Sequence, residues 1–329
     1  MNSYLFFRTD RIGDFLMSSI LLKSIKRNNP NSHITVVASN KNIFFIKKLN
    51  LVDEVIEYPS NPLKKAIFFL GLLKKRYHLT VALDGKKRSI FNSILCRSNI
   101  KVLITTKEIY KKFLGIFFSS IIYSGFCNSK IEEIKKILNI LKFNFDEKDL
   151  NVFNGEEGLL DKKKNLPGEF SVLHFDEKWI TGKYRNDYTN IEPSIEDLLL
   201  FLKQIVKCTD LNLVVSTGIS SNPIVEELKL IFTEFSKDDF RLMCNNKTII
   251  LLTNLPFIEL GYVISKSSLI ITCHGAFSHF ASAFNIKIID IFEEKEKFAY
   301  YKWNAHFRKY KFIYRTDFNV LSKTIINLL

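Results

Sequence analysis

Short apolar runs alternate with stretches of helical period along the whole chain. Tyr4-Leu5-Phe6-Phe7 reads as a buried strand, and the apolar positions 16, 20, 21 and 25 that follow recur at helical spacing. Asn29-Pro30-Asn31 breaks that helix, and His33–Ala38 reads as a second, β-branched strand. Further strand-like runs at Val52–Tyr58, Leu79–Asp84 and Lys101–Ile104 alternate with helical ones at 43–49, 63–76, 89–96 and 130–142. The alternation predicts a parallel sheet with helices on both faces.

The pattern changes over 144–168, where polar runs, Gly155, Gly158, Lys162–Lys164 and Pro167-Gly168 predict a linker. A second alternation follows: strand 170–175, loop 176–192, helix 194–207, strand 211–215, turn Ser216–Asn222 and helix 223–235. Strands at 248–253, 269–272 and 286–292 and a helix from about 317 complete it. Two doubly wound α/β domains are expected, 1–158 and 168–316, with the helix 317–329 packing back on the first.

Composition and charge narrow the function classes. A chain of 329 residues with 47% hydrophobic content can bury a large core, which excludes a disordered protein. The net charge of +14 is uneven: residues 1–160 hold 26 Lys and Arg against 14 Asp and Glu, the remainder 22 against 20. So basic a half is either a solvated face or one drawn to an anionic partner: a membrane surface, nucleic acid or a phosphorylated glycan. Its clusters lack interleaved aromatics and any nucleic-acid-binding motif, so no nucleic-acid partner is expected. The five cysteines show neither a CxxC nor metal-ligand spacing, which suits reduced thiols in a cytosol and no metal site. Asp10 and Asp14 interrupt the first apolar run, so no signal peptide is read. Phe113–Phe126, at 14 residues, is shorter than the about 20 a bilayer span needs and reads as a core helix or a surface that dips into the interface. A cytoplasmic protein with peripheral membrane contact is expected. The oligomeric state is not legible.

Two strand-to-helix turns concentrate candidate chemistry. Arg8-Thr9-Asp10-Arg11-Ile12-Gly13-Asp14 sets two arginines, a glycine and two aspartates where a strand gives way to a helix, the place where α/β sheets bind ligands. Arg8 and Arg11 either hold an anion by bidentate contacts or pair with Asp10 and Asp14. Asp84 and Lys86-Lys87-Arg88, at another strand end, are placed beside them. In Cys273–Ala283 a strand ends, Gly275-Ala276 makes a turn and a helix begins near Ser278. Free amides at such a start bind phosphate, and Gly275 lets a diphosphate approach the backbone. Thr217 and Gly218, at another strand end, are candidates for hydrogen bonds to a nucleotide.

Those turns carry a resemblance. Residues 260–292, LGYVISKSSLIITCHGAFSHFASAFNIKIIDIF, resemble the C-terminal signature of the heptosyltransferases, glycosyltransferase family 9, with His279-Phe280-Ala281-Ser282-Ala283 on its His-Leu-Ala-Ala-Ala portion. Arg8–Asp14, the Leu-rich helix and Asn29-Pro30 resemble the family's N-terminal Arg-x-x-x-x-Gly-Asp signature. The resemblance covers most of the chain, with about 60–160 matching in pattern only. It implies a GT-B fold: two Rossmann-like domains facing a central cleft, the first binding acceptor and the second a nucleotide sugar. It also implies inverting, metal-independent transfer with no cofactor beyond the co-substrate, an ADP-heptose-like nucleotide diphosphate sugar. Asp14 falls on the family's base, with Asp10 as the alternative carboxylate. Acceptor contacts are then expected from Arg8, Arg11 and Gly13. Donor contacts are expected from Lys178 in His174–Trp179, from Thr217 and Gly218, and from His274, Gly275, Ala276 and His279. Lys183 competes with Lys178, and spacing does not separate them. His274 departs from the family, standing where an aspartate contacts the donor sugar or ribose. The activity implied is heptosyl or hexosyl transfer to lipopolysaccharide or another anionic cell-surface glycan. A family 9-like transferase with another donor and a protein acceptor is the alternative, as is a non-catalytic nucleotide-sugar-fold binding protein. His274 favours that last reading and the retained Asp14 opposes it.

Overall fold

The computed structural model describes residues 2–125, 128–153, 166–218 and 222–329. Phe126, Cys127, residues 154–165 of the expected linker and the middle of the Ser216–Asn222 turn lie outside the described residues. The chain divides into two compact units, Met1–Val152 with Phe298–His306, and Phe153–Lys297 with Phe307–Leu329.

The first unit is built on six parallel strands: β1(Ser3–Arg8), β2(His33–Ala38), β3(Glu54–Glu57), β4(Arg76–Ala82), β5(Arg97–Thr105) and β6(Ser120–Tyr123). Their spatial order is β3-β2-β1-β4-β5-β6. The connecting helices are α1(Ile12–Asn28), α2(Ile43–Ile46), α3(Pro62–Lys74), α4(Lys87–Leu95), α5(Ile109–Leu114) and α6(Lys130–Ile140). Crossovers between parallel strands are right-handed. The outward run from β1 to β3 therefore puts α1 and α2 on one face, and the return run puts α3, α4 and α5 on the other. β1 is central and apolar, with Tyr4 to Phe7 fully buried. The winding reverses between β1 and β4, so the turns after those strands flank the switch point where such sheets bind ligands. Ser24 and Arg27 of α1 bind the buried Asp149 carboxylate, so the residues just before 153 pack against this helix.

The second unit has eight strands: β7(Phe170–His174), β8(Asn212–Ser216), β9(Thr233–Ser236), β10(Asp239–Cys244), β11(Lys247–Leu252), β12(Leu269–Cys273), β13(Lys287–Phe292) and β14(Tyr310–Tyr314). Their order is β14-β13-β12-β7-β8-β11-β10-β9. All pairs are parallel except those of β10 with β9 and β11. The helices are α7(Ile195–Thr209), α8(Pro223–Ile231), α9(Phe257–Lys266), α10(Ala276–Ala283) and, after α11(Lys297–Asn304), which from Phe298 on belongs to the first unit, α12(Phe318–Leu328). Here the winding reverses between β7 and β12.

The structure departs from the sequence reading in four places. Of the two readings of Phe113–Phe126, the core helix is not what residues 113–125 form: α5 stops at Leu114, Phe113, Ile116 and Phe117 are exposed, and β6 begins at Ser120. The helix expected over 223–235 ends at Ile231 and gives way to β9, the outer strand of an edge hairpin with β10. The C-terminal helix buries Phe318, Leu321 and Ile325 in the second unit's core with Phe201 and Ile205. The segment that joins the first unit is instead 298–306.

Candidate functional site

In the first unit, β1 ends at Arg8 and Asp14 occupies the third position of α1. Arg8 is only 5% exposed. Its Nε donates to Ser18 Oγ at 2.8 Å and to the Asp14 carbonyl at 3.1 Å, and its Nη1 to Asp10 Oδ2 at 3.1 Å and the Leu83 carbonyl at 3.2 Å. The guanidinium thus ties the turn after β1 to the end of β4. Asp84 completes that tie, accepting from Thr9 N, Thr9 Oγ1, Ser89 Oγ and Lys86 N. Lys86 Nζ and Arg88 Nη2 donate to the Thr9 carbonyl at 3.0 and 3.1 Å.

Thr9, Asp10, Asp14, Lys86 and Arg88 line a cavity of about 710 Å³. Arg11, Lys41, Lys65, Lys86 and Arg88 face it against Asp10, Asp14 and Glu57, so its wall is cationic overall. One Asp14 oxygen, Oδ2, accepts from the Arg11 amide at 3.2 Å. Burial pushes Asp10 above the usual carboxylate range, against the pull of Arg8 and with help from the Asp14 and Asp84 charges. Its Oδ1 is buried without a hydrogen-bond partner.

In the second unit, the turn after β7 is locked by Trp179, whose indole N–H donates to the His174 carbonyl at 2.9 Å. That turn presents Lys178 against Asp176, Nζ to Oδ2 3.2 Å, with His174 Nε2 3.5 Å from the same oxygen. Burial disfavours both charges, but the pair prevails: Asp176 is held below the usual carboxylate range and Lys178 above the usual ammonium range. A Cβ at Gly275 would lie 2.5 Å from Lys178 Nζ. The φ of Gly275, 176°, is ordinary extended backbone, and the close atom is the mobile end of the lysine, so a side chain there would displace the ammonium rather than the backbone. α10 starts at the next residue and directs its opening amides from the same point. Beside it His274 Nδ1 meets Asp290 Oδ2 at 2.5 Å, and Asp290 also accepts from Ser278 Oγ at 2.8 Å and Tyr310 OH at 3.2 Å. A second cavity, about 420 Å³, is lined by Asp176, Lys183, Tyr184, Gly218 and Asn222. Burial pushes the neighbouring Cys273 thiol up to about 12, which rules it out as a nucleophile at neutral pH.

Both turns sit at the switch points of their sheets, and solved structures with the same chain path give the architecture a name. The chain has the GT-B heptosyltransferase fold. E. coli heptosyltransferase WaaC with ADP-2-deoxy-2-fluoro heptose superposes with a TM-score of 0.65 at 14% identity, over 99% of this chain and 100% of that one. E. coli ADP-heptose LPS heptosyltransferase II gives 0.62 at 13% identity, over 100% and 99%. The glycosyl transferase family 9 structure from Veillonella parvula DSM 2008 gives 0.63 at 12% identity, over 99% and 91%. No family model matches the sequence, and no curated protein matches it.

Within this heptosyltransferase fold, Lys178 and Gly275 meet directly, with Ala276 at the helix start and His274 and His279 edge to face at 5.4 Å. His279 is buried against Phe307. Lys183 lies on the second cavity with Gly218, so Lys178 is the lysine at Gly275. Thr217 is buried, its amide bound to the Leu252 carbonyl and its hydroxyl turned to the Gly218 carbonyl. Asp14, Arg11 and Gly13 share the turn at the first cavity, Asp14 and Arg11 on its wall, whereas Arg8 is spent internally. Sequence reasoning missed Asp176, Asp290, Tyr310 and Arg315. Arg315 is buried and bonds the carbonyls of Lys178 and Thr189, clamping the loop after β7.

Proposed function

We infer that the protein is an inverting, metal-independent glycosyltransferase of the heptosyltransferase kind. Its donor is an ADP-heptose-like nucleotide diphosphate sugar and its acceptor an anionic glycan such as lipopolysaccharide. The observation that carries this reading is the apposition of Lys178, Gly275 and the start of α10. It joins a permanent positive charge, open amides and a side-chain-free approach, which together suit a diphosphate. WaaC solved with ADP-2-deoxy-2-fluoro heptose supports the donor class.

In this reading the two turns take different parts of the chemistry. The acceptor hydroxyl gives its proton to the Asp14 carboxylate as its oxygen bonds to C1 of the donor sugar. The bond from C1 to the diphosphate oxygen breaks on the opposite face, inverting the centre. Negative charge then gathers on the leaving diphosphate, and Lys178 with the α10 amides stabilises it without a proton. Arg11, Lys41, Lys86 and Arg88 hold acidic groups of the acceptor. Asp10, beside Asp14, is the second carboxylate there and sets the local charge.

The test is product detection by mass spectrometry, with a panel of nucleotide sugars and truncated lipopolysaccharide from the host as acceptor. Asp14→Asn should cost about a hundredfold or more in turnover while donor binding persists. Wild-type turnover in that variant removes Asp14 from the role, and no transfer from any donor refutes the function.

A further inference from the structure

Amphipathic helices on a sheet turn their apolar stripe inward. On the return face of the first unit this is partly reversed. In α3 only Leu72 is buried, and α5 buries nothing. Leu63, Ile67 and Leu70, at one-turn spacing along α3, are 72, 63 and 58% exposed. Phe91 of α4 is 53% exposed, Phe113 of α5 68%, and Ile116 just after it 86%. The three helices adjoin. Phe69 and Phe91 meet edge to face at 6.0 Å, and Ile90 and Ile94 of α4 share a small core with Tyr110 and Leu114 of α5. A contiguous apolar surface of this kind on a folded unit marks an interaction site.

Charge identifies the partner. Segments 62–75, 86–95 and 106–117 hold ten Lys or Arg against one Glu; Lys65, Lys86 and Arg88 turn to the first cavity, which leaves seven cations. Lys64, Lys74, Lys87, Lys111 and Lys112 are exposed among the apolar residues. Two copies meeting through so cationic a face would repel, whereas an anionic bilayer attracts it. We propose that the α3–α4–α5 face binds the surface of an anionic membrane, with Leu63, Ile67, Leu70, Phe113 and Ile116 entering the headgroup region and the lysines contacting lipid phosphates. Among the described residues no helix is long and apolar enough to cross a membrane, so the attachment is interfacial. The inference does not rest on the donor or acceptor assigned above.

The experiment is co-sedimentation of the full chain with vesicles of phosphatidylcholine, alone or mixed with phosphatidylglycerol. The wild type should bind the mixed vesicles and release as salt is raised. Lys111→Ala with Lys112→Ala should weaken binding roughly thirtyfold, at about fivefold per lysine near the surface. Phe113→Ser with Ile116→Ser should weaken it on the order of tenfold or more. Ile67→Ser with Leu70→Ser provides an independent pair, and all these positions are exposed, so melting temperatures should hold. Absence of binding to the mixed vesicles, or undiminished binding by all three variants, overturns the proposal. So does self-association of the wild type that the Phe113→Ser, Ile116→Ser variant abolishes.

Discussion

Gly275→Ala isolates the Lys178 contact more cleanly than removing the lysine. Because the glycine's backbone is ordinary extended chain, alanine carries no dihedral cost there, and the whole effect is steric. The new methyl would sit 2.5 Å from Lys178 Nζ, so the ammonium must retreat by roughly 1 Å to reach normal van der Waals separation. The Asp176–Lys178 separation, now 3.2 Å, then exceeds hydrogen-bond range. At an effective dielectric of about 20 that retreat costs on the order of 1 kcal/mol of attraction. Thermal denaturation should register it as a fall of about 2–4 °C. Lys178→Ala would instead strand the Asp176 carboxylate in a buried position, a loss of about 3–5 kcal/mol that confounds folding with function.

The functional effect should be larger than the stability effect. A preorganised group facing a leaving charge contributes about 10²–10³ in rate, so displacing one should cost about ten- to a hundredfold in transfer and shrink the rise in melting temperature that ADP produces. In a Lys178→Met background the same glycine substitution should be nearly neutral, since the clash partner is gone. A Gly275→Ala protein with wild-type stability, ADP response and transfer rate would refute the claim that Gly275 exists to admit Lys178.

Two further expectations concern groups the mechanism does not touch. Arg8→Ala should lower unfolding free energy by about 3 kcal/mol in a urea titration, because it leaves Asp10 and the buried Leu83 carbonyl without this donor; unchanged stability with weakened acceptor binding would make Arg8 a ligand instead. Burial pushes His306 down to about 3 from 6.5, so the unfolded chain takes up a proton that the native one refuses. Stability from this group is complete above pH 6.5 and drains as pH falls toward 3, at about 1.4 kcal/mol per pH unit. His306→Gln should flatten the acid limb of the stability curve, and an unchanged limb removes His306 as its cause.

The central strands were readable because nothing else explains Tyr-Leu-Phe-Phe or Ile-Thr-Val-Val bounded by turn residues. The edge of the second sheet was not. β9 is exposed along its length and β10 only partly buried, so no apolar run announces them. The available signal was the pair Asn245-Asn246, both with positive φ at 48° and 61°, a two-residue hairpin loop between Cys244 and Lys247. Phe113–Phe126 failed for another reason. Apolarity alone separates neither helix from strand nor a buried face from one that meets a partner. The turn after β1 was legible as a cluster, but which arginine would face solvent depended on Ser18 and Leu83, contacts that only the fold supplies.

Asp290 illustrates the same limit and changes the meaning of His274. The two residues are sixteen apart in sequence and meet because β12 and β13 run side by side, Thr272 opposite Asp290. An aspartate inside Ile-Ile-Asp-Ile was the visible hint, since a carboxylate in a strand buried on both faces needs donors. It finds three, from His274, Ser278 and Tyr310. The carboxylate that the family resemblance places at 274 is therefore present one strand away, acting through an imidazole. The Asp290 carboxylate accepts from Nδ1, so that nitrogen carries a proton. A carboxylate there would accept only, from sugar or ribose hydroxyls. The pairing thus keeps a carboxylate on the neighbouring strand while an imidazole stands where the resemblance expects an acid.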